Sequence, residues 1–219
     1  MSNNSNWTFT RAIGVACGAI LKRIVRWLAL SKIHPNLLTF LGLVINIWAA
    51  WLFARAGSAE DPRIDFRWAG LVVIGAGLFD MVDGRVARAT DQVTPFGGFF
   101  DSVIDRYSDA SQFFGLLIFF ARGGRFYYVS LAAYVMISAI MVSYSRARAE
   151  SLIGTCRVGF MERPERLVLV IIGALFNVMA PVLWVIAVLS TITVIHRIQY
   201  TWSRTRLVES NPAGSGRAA

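Results

Sequence analysis

Residues 167–195 form a run of 29 residues without a single charged side chain. A helix needs only about 20 such residues to cross the hydrocarbon core of a bilayer. The run is therefore too long for one span. It is also too apolar for a soluble domain, in agreement with a composition that is 56% hydrophobic and only 16% charged. Because residues 177–181 (NVMAP) contain the turn formers Asn and Pro, we expect a hairpin of two membrane helices whose ends share one side of the membrane.

Four further membrane helices are expected before this hairpin. Residues 37–53 are free of charge and form the first span, and the polar segment 55–67 is a loop. The second helix starts near Trp68 and continues into an acidic stretch. The third helix covers residues 96–121, and the fourth starts at Phe126, stays uncharged through Ser145 and ends in RARAE, residues 146–150. The predicted fold class is an all-α membrane protein with six transmembrane helices.

The two ends of the chain are expected to lie outside this six-helix domain, which spans residues 35–206. Residues 1–34 form an N-terminal tail and juxtamembrane segment, in which residues 9–31 alternate apolar and basic side chains. This pattern is typical of an amphipathic helix at the membrane interface, or of a peripheral helix packed on the bundle. Residues 207–219 are expected to form a disordered tail.

The formal net charge of +9 is of the kind that nucleic-acid-binding proteins also carry. Here, however, the basic residues flank apolar runs, so we expect contacts with membrane lipids and none with nucleic acid. With six spans, most of the 22 Lys and Arg residues fall on the side that holds both termini and the second and fourth connections. By the positive-inside rule, this side and the acidic stretch face the cytoplasm of a multi-pass cell-membrane protein.

The acidic stretch, residues 79–106, carries four aspartates at helical spacing. Asp80 and Asp83 lie one turn apart on the second helix, and Asp101 and Asp105 lie one turn apart on the third. A short turn makes the two helices antiparallel, so the carboxylates converge and repel one another unless cations lie between them. Oxygen ligands without His or Cys suit hard divalent ions, Mg²⁺ first and Mn²⁺ or Ca²⁺ next. Buried structural carboxylates, or an ion pathway in a transporter, are the alternatives at this point.

The spacing of these residues resembles the signature of the CDP-alcohol phosphotransferase family. From Asp80 to Asp105 the sequence reads D-x2-D-G-x2-A-R-x8-G-x3-D-x3-D, and every specified position of the signature is occupied. The resemblance implies a homodimeric six-helix membrane enzyme with two Mg²⁺ ions, or Mn²⁺, at the cytoplasmic side. It also implies the reaction, in which an alcohol displaces CMP from a lipid such as CDP-diacylglycerol (CDP-DAG). Asp109, one turn beyond the signature, is expected to be structural or to contact the dimer partner.

The same resemblance implies roles for individual residues. Asp80, Asp83, Asp101 and Asp105 would bind the metals, and Asp105 would also be the catalytic base that takes the proton of the acceptor hydroxyl. Arg88 would pair with the pyrophosphate. The remaining contacts to the CDP-lipid would come from Asn36, Thr39, Gly84 and Thr94. For these positions helix capping and turn formation are the alternative roles.

Residues 143–166 gather arginines at the same end as the acidic stretch. Some of them serve the positive-inside bias, but an arginine cluster also suits a phosphate, so we expect an acceptor that already carries phosphate. The elements SYSRARAE and ERPER resemble the bacterial phosphatidylinositol-phosphate synthases and related archaeal enzymes, although the bacterial ones often have lysine at position 146. This resemblance implies inositol phosphate as the acceptor. It assigns the phosphate of that acceptor to Ser143, Arg146, Arg166 and Arg197.

Two alternatives remain. A glycerol 3-phosphate acceptor, yielding phosphatidylglycerol phosphate, would use similar arginines, although the basic Gly-Lys-rich run typical of that branch is absent. A metal-ion transporter would need polar residues in both leaflets, whereas the far halves of these helices are apolar. The resemblance thus implies transfer of the phosphatidyl group from CDP-DAG to inositol phosphate with release of CMP, by two-metal catalysis with an aspartate base.

Overall fold

The computed structural model describes residues 34–89 and 92–210, and within these ranges it contains six α-helices and no strand. The side chains of Asp83, Ala87, Ala89 and residues 207–210 are not described. In chain order the helices are α1 (Pro35–Ala56), α2 (Pro62–Ala89), α3 (Pro95–Arg122), α4 (Phe126–Ile153), α5 (Arg163–Leu175) and α6 (Met179–Ser210). The all-α fold class is confirmed. The expected interfacial helix, at residues 9–31, lies outside the described residues.

A proline is the first or second residue of four of the described helices, because a proline there lacks only an N–H that would have no helical partner. At the start of α3 the Oγ1 of Thr94 accepts a hydrogen bond from the Gly97 N–H at 2.9 Å. α5 begins after Glu162, whose N–H donates to the Glu165 carboxylate at 3.1 Å. The beginnings of these helices are therefore set by their local sequence.

The beginning of α2 differs from the prediction. The helix starts at Pro62 and not near Trp68, so six residues expected in a loop are helical. Asp65 in the first turn is buried and accepts a hydrogen bond from the Arg55 Nε at 3.0 Å. The neighbouring Phe66 is 1% exposed. Tertiary contacts of these two residues extend the helix over a stretch that polarity alone assigned to the loop.

The ends of α4 and α6 also lie beyond the predicted ends. α4 continues past the RARAE element to Ile153, and the Nε of Arg146 pairs with the Glu150 carboxylate one turn later at 3.0 Å. Pairs at this spacing support an exposed helix. α6 runs to Ser210, so the first residues of the expected disordered tail are helical.

The predicted break in the long apolar run is confirmed. α5 ends at Leu175 and α6 begins at Met179. Between them Asn177 has φ of 55°, in the left-handed region that asparagine tolerates better than most residues. The chain therefore folds back, and it returns Arg197 to the end of the molecule where Arg166 lies.

The bundle has α1 packed against α2 and α3, α4 against α3 and α6, and α5 against α2 and α6. At one end a series of aromatic rings is in edge or stacked contact, with centroid separations between 4.7 and 5.2 Å. These rings belong to Phe53, Phe66, Phe119, Phe120 and Tyr128. In the middle the Gln112 amide of α3 donates to Asn46 of α1 at 2.6 Å. Polar side chains of the acidic stretch gather at the opposite end of the bundle.

Three of the described helices are long and apolar enough to cross a membrane: α1, α4 and the part of α6 that covers Met179–Arg206. α2 and α3 contain the acidic stretch, and α5 has 13 residues, which corresponds to about 20 Å. The described chain is thus a helical membrane protein with three candidate spans among six helices.

Candidate active site

The acidic site forms where the C-terminal end of α2 meets the N-terminal half of α3. Asp80 lies on α2, and Asp101 and Asp105 lie one turn apart on α3. One carboxylate oxygen of each lies within 4.8 Å of the other two. The backbone of Asp83 is part of α2, one turn after Asp80, but its side chain is not described. The structure therefore brings together three of the four aspartates that the sequence singled out.

The donor set of this cluster fits a hard divalent cation. All three ligands are carboxylate oxygens, the chemistry that Mg²⁺ and Mn²⁺ prefer. The Oδ1 of Asp105 is buried and has no hydrogen-bond partner among the described residues. Arg163 Nη1 lies 2.8 Å from this oxygen as an ion pair, but its N–H does not point along the contact. Asp80, Asp101 and Asp105 are therefore the residues that would hold a metal.

Arg163, the first residue of α5, lies among the same carboxylates. Its guanidinium pairs with Asp80, with Asp105 and, through Nε at 3.4 Å, with Asp109. Burial opposes the positive charge, yet the attraction of Asp105, Asp109 and Asp80 raises the pKa of Arg163 above its ordinary value. The cluster thus contains a permanent cation of its own.

A cavity of about 530 Å³ opens on one side of the aspartates, between the first turns of α1 and α3 and the last turns of α2. Asp80 and Asp101 lie in its wall. Its lining also includes all five residues assigned to the CDP-lipid, which are Asn36, Thr39, Gly84, Arg88 and Thr94. Thr94 caps α3 as well, so the alternative role proposed for it is present in the same residue.

A smaller cavity, of about 140 Å³, opens on the other side of the cluster, with Asp105 in its wall. Its lining contains Ser143, Arg146 and Arg197, three of the four residues assigned to the acceptor phosphate, together with Arg163. Asp105 is therefore next to the smaller cavity, and its neighbours Asp80 and Asp101 are next to the larger one.

The fourth assigned residue, Arg166, does not line the smaller cavity. Its side chain is 2% exposed and pairs with Asp109, and its Nη1 donates to the Met161 carbonyl at 3.4 Å. Asp109 therefore contacts two arginines, which agrees with the structural role expected for it.

Arg197 lines the cavity, and its side chain is also held in place by hydrogen bonds and an ion pair within the protein. Its side chain is 1% exposed, its Nε donates to the Val158 carbonyl at 2.8 Å, and its Nη2 pairs with Glu162 at 3.2 Å. Glu162 also pairs with Arg146 at 2.8 Å. Arg197 therefore fixes the loop before α5 in addition to lining the cavity.

Arg163 is the site residue that sequence reasoning missed. The sequence grouped it with the basic loop and, of the two arginines in the ERPER element, assigned a site role only to Arg166. The available signal was the spacing of the two arginines, since residues three apart lie on one face of a helix. Nothing in the local sequence indicates that this face reaches Asp80, which is 83 positions away.

Comparisons with known proteins agree with this geometry. Residues 32–196 match the family model of CDP-alcohol phosphatidyltransferases. The archaetidylinositol phosphate synthase of Pyrococcus horikoshii is 39% identical over 81% of this chain and 88% of its own. The phosphatidylinositol phosphate synthase of Mycobacteroides abscessus is 33% identical over 89% of this chain and 85% of its own.

Solved structures give the same result. The crystal structure of Mycobacterium tuberculosis phosphatidylinositol phosphate synthase with CDP-DAG bound superimposes with a TM-score of 0.76 at 30% identity, and covers 92% of this chain and 99% of that one. The same enzyme in complex with manganese and citrate superimposes with a TM-score of 0.73 at 30% identity, and covers 91% of this chain and 93% of that one. With the acidic cluster and its two cavities, these matches show that the chain is a transferase of the CDP-alcohol phosphatidyltransferase family.

Proposed function

We propose that this protein transfers the phosphatidyl group of CDP-DAG to inositol phosphate and releases CMP, which makes it a phosphatidylinositol phosphate synthase. The observation that carries the proposal is the pair of cavities on opposite sides of one aspartate cluster. A two-substrate transfer needs the donor and the acceptor to meet at the reacting phosphorus. The larger cavity suits the nucleotide end of the lipid, and the smaller, arginine-lined one suits a phosphorylated alcohol.

In the proposed reaction the acceptor hydroxyl oxygen forms a bond to the phosphorus next to the diacylglycerol. The bond from that phosphorus to the oxygen of CMP breaks, and CMP leaves. Asp105, at the border of the smaller cavity, takes the proton of the hydroxyl. Arg88 in the larger cavity pairs with the pyrophosphate oxygens. Two divalent ions held by Asp80, Asp83, Asp101 and Asp105 would supply positive charge against the charge that develops on the phosphate oxygens.

The choice of inositol phosphate as acceptor is supported by the smaller cavity. Arg146 and Arg197 in its wall provide guanidinium groups for a phosphate, and Ser143 adds a hydroxyl. A neutral alcohol such as free inositol would form no ion pair with these arginines. The related archaeal and bacterial enzymes carry names that also specify an inositol phosphate product.

The proposal includes an arrangement in the membrane. All six helices would cross or enter the bilayer, the basic side with both cavities would face the cytoplasm, and two copies would form a homodimer. The asymmetric distribution of Lys and Arg supports the orientation.

Release of CMP by the purified protein tests the proposed function. We expect turnover with CDP-DAG, Mg²⁺ and inositol phosphate, and at least about tenfold less with free inositol, since charged hydrogen bonds contribute about 1.5–3 kcal/mol each. Chelation of the metal with EDTA should stop the reaction, and Mn²⁺ should restore it. Faster turnover with glycerol 3-phosphate, free inositol or serine would contradict the assigned acceptor.

The two cavities can be assigned separately with a matched pair of arginine substitutions. We expect Arg146→Gln to raise the KM for inositol phosphate about tenfold, with a much smaller effect on the KM for CDP-DAG. Arg88→Gln, on the other side of the cluster, should raise the KM for CDP-DAG, with a much smaller effect on the KM for inositol phosphate. Steady-state kinetics with each substrate varied in turn would measure both. Equal effects of either substitution on both constants would contradict the assignment of that cavity.

A further inference from the structure

We propose that Arg163 couples the two halves of the site: the acceptor phosphate draws its guanidinium away from Asp80 and Asp105, and so makes these carboxylates available to the metal. This inference rests on the proposed function and deepens it. In this inference the acceptor phosphate binds first, and Arg163 then leaves the carboxylates free to bind the metal.

The first observation is competition for the same oxygens. Nη1 of Arg163 contacts both Asp80 and Asp105, which are two of the three carboxylates suited to the cation. A guanidinium and a divalent ion repel each other when they share neighbouring ligands. In this position Arg163 therefore competes with the metal for Asp80 and Asp105.

The second observation is that a phosphate in the smaller cavity offers Arg163 another partner. Arg163 lines this cavity, and its side chain is 20% exposed. The cavity also contains Arg146 and Arg197, but these two pair with Glu162 at the edge of the site. Arg163 is the arginine of this cavity whose ion pairs are with the aspartate cluster itself.

The third observation is a fixed point about which the guanidinium can turn. The Nε of Arg163 lies 3.4 Å from Asp109, and Asp109 is held in turn by the buried Arg166. Asp109 lies one helical turn beyond Asp105 and outside the cation cluster. Arg163 can therefore keep its contact with Asp109 while Nη1 exchanges Asp80 and Asp105 for phosphate oxygens. The exchange replaces carboxylate partners with another anion, so the charge of Arg163 remains compensated.

Binding of Mn²⁺ to the full-length protein, measured by electron paramagnetic resonance without CDP-DAG, tests the coupling. In the unsubstituted protein we expect inositol 1-phosphate to lower the Kd for Mn²⁺ about tenfold, a typical size for coupled sites. Arg163→Gln should bind Mn²⁺ about tenfold more tightly without any acceptor and should not respond to it. Arg163→Lys, which keeps the charge, should retain part of the response. Arg157→Gln is the matched control, since Arg157 is exposed and lines neither cavity.

Two results would overturn the coupling. One is an unchanged response to inositol 1-phosphate in Arg163→Gln, and the other is weaker Mn²⁺ binding in that folded variant, which would make Arg163 a support for the metal site. Glycerol 3-phosphate, inorganic phosphate and free inositol, tested in parallel, separate this inference from the proposed function. A response to glycerol 3-phosphate in place of inositol 1-phosphate, lost in Arg163→Gln, would support the coupling while contradicting the acceptor. Turnover with inositol phosphate and no effect on Mn²⁺ binding would contradict the coupling alone.

Discussion

Asp105→Asn is expected to reduce CMP release by about a thousandfold, the middle of the range for loss of a general base. The amide has nearly the same shape as the carboxylate but cannot accept the proton of the acceptor hydroxyl, and it is a poorer metal ligand. Since Asp105 lies in the wall of the smaller cavity and within 4.8 Å of the other two carboxylates, both losses affect the same reacting centre. The rate of CMP release at saturating substrates is the measurement.

The matched control is Glu60→Gln, which makes the same change from carboxylate to amide in the exposed loop between α1 and α2. This variant should keep the activity of the unsubstituted protein. Circular dichroism and gel filtration in detergent would show that Asp105→Asn remains folded. A folded Asp105→Asn protein with more than about a tenth of the original rate would remove Asp105 from the chemistry, because even the smallest expected contribution of a base is about a hundredfold.

Gly115→Ala should lower the free energy of unfolding by about 3 kcal/mol or more, at the upper end of the cost of overpacking. A Cβ at this position of α3 would lie 2.2 Å from the carbonyl oxygen of Ala50 in α1. Backbone atoms cannot rotate away as a side chain can, so the two helices would have to separate. Thermal unfolding in detergent, followed by circular dichroism, would measure the loss.

Gly75→Ala provides the comparison. Gly75 lies inside α2, and a Cβ there meets nothing within 4 Å. This substitution should be neutral or stabilise the protein by up to about 1 kcal/mol, because alanine loses less conformational entropy in a helix than glycine does. If Gly115→Ala unfolded at the same temperature as Gly75→Ala, the close approach of α1 and α3 would not be a feature of the folded protein.

Much of the fold could be predicted from the sequence because its signals are local. The fold-back near Asn177 depends on turn formers within a few residues of one another, and it is confirmed by the break before Met179. The error at α2 has the opposite origin. Its first turn has the polarity of a loop, but in the structure Asp65 pairs with Arg55 and Phe66 packs in the aromatic series. These contacts join different helices.

In the candidate site, too, some features follow from the local sequence and others follow only from the tertiary structure. Helical spacing by itself determined that Asp101 and Asp105 share a face, and the short connection between α2 and α3 brings Asp80 to them. Only the tertiary structure decided that Arg163 reaches these carboxylates and that Arg166 is buried behind them against Asp109. The physical reason is that a helical face follows from residues three and four positions apart. The partner of that face, by contrast, depends on how α5 packs against α2 across a separation of 83 residues.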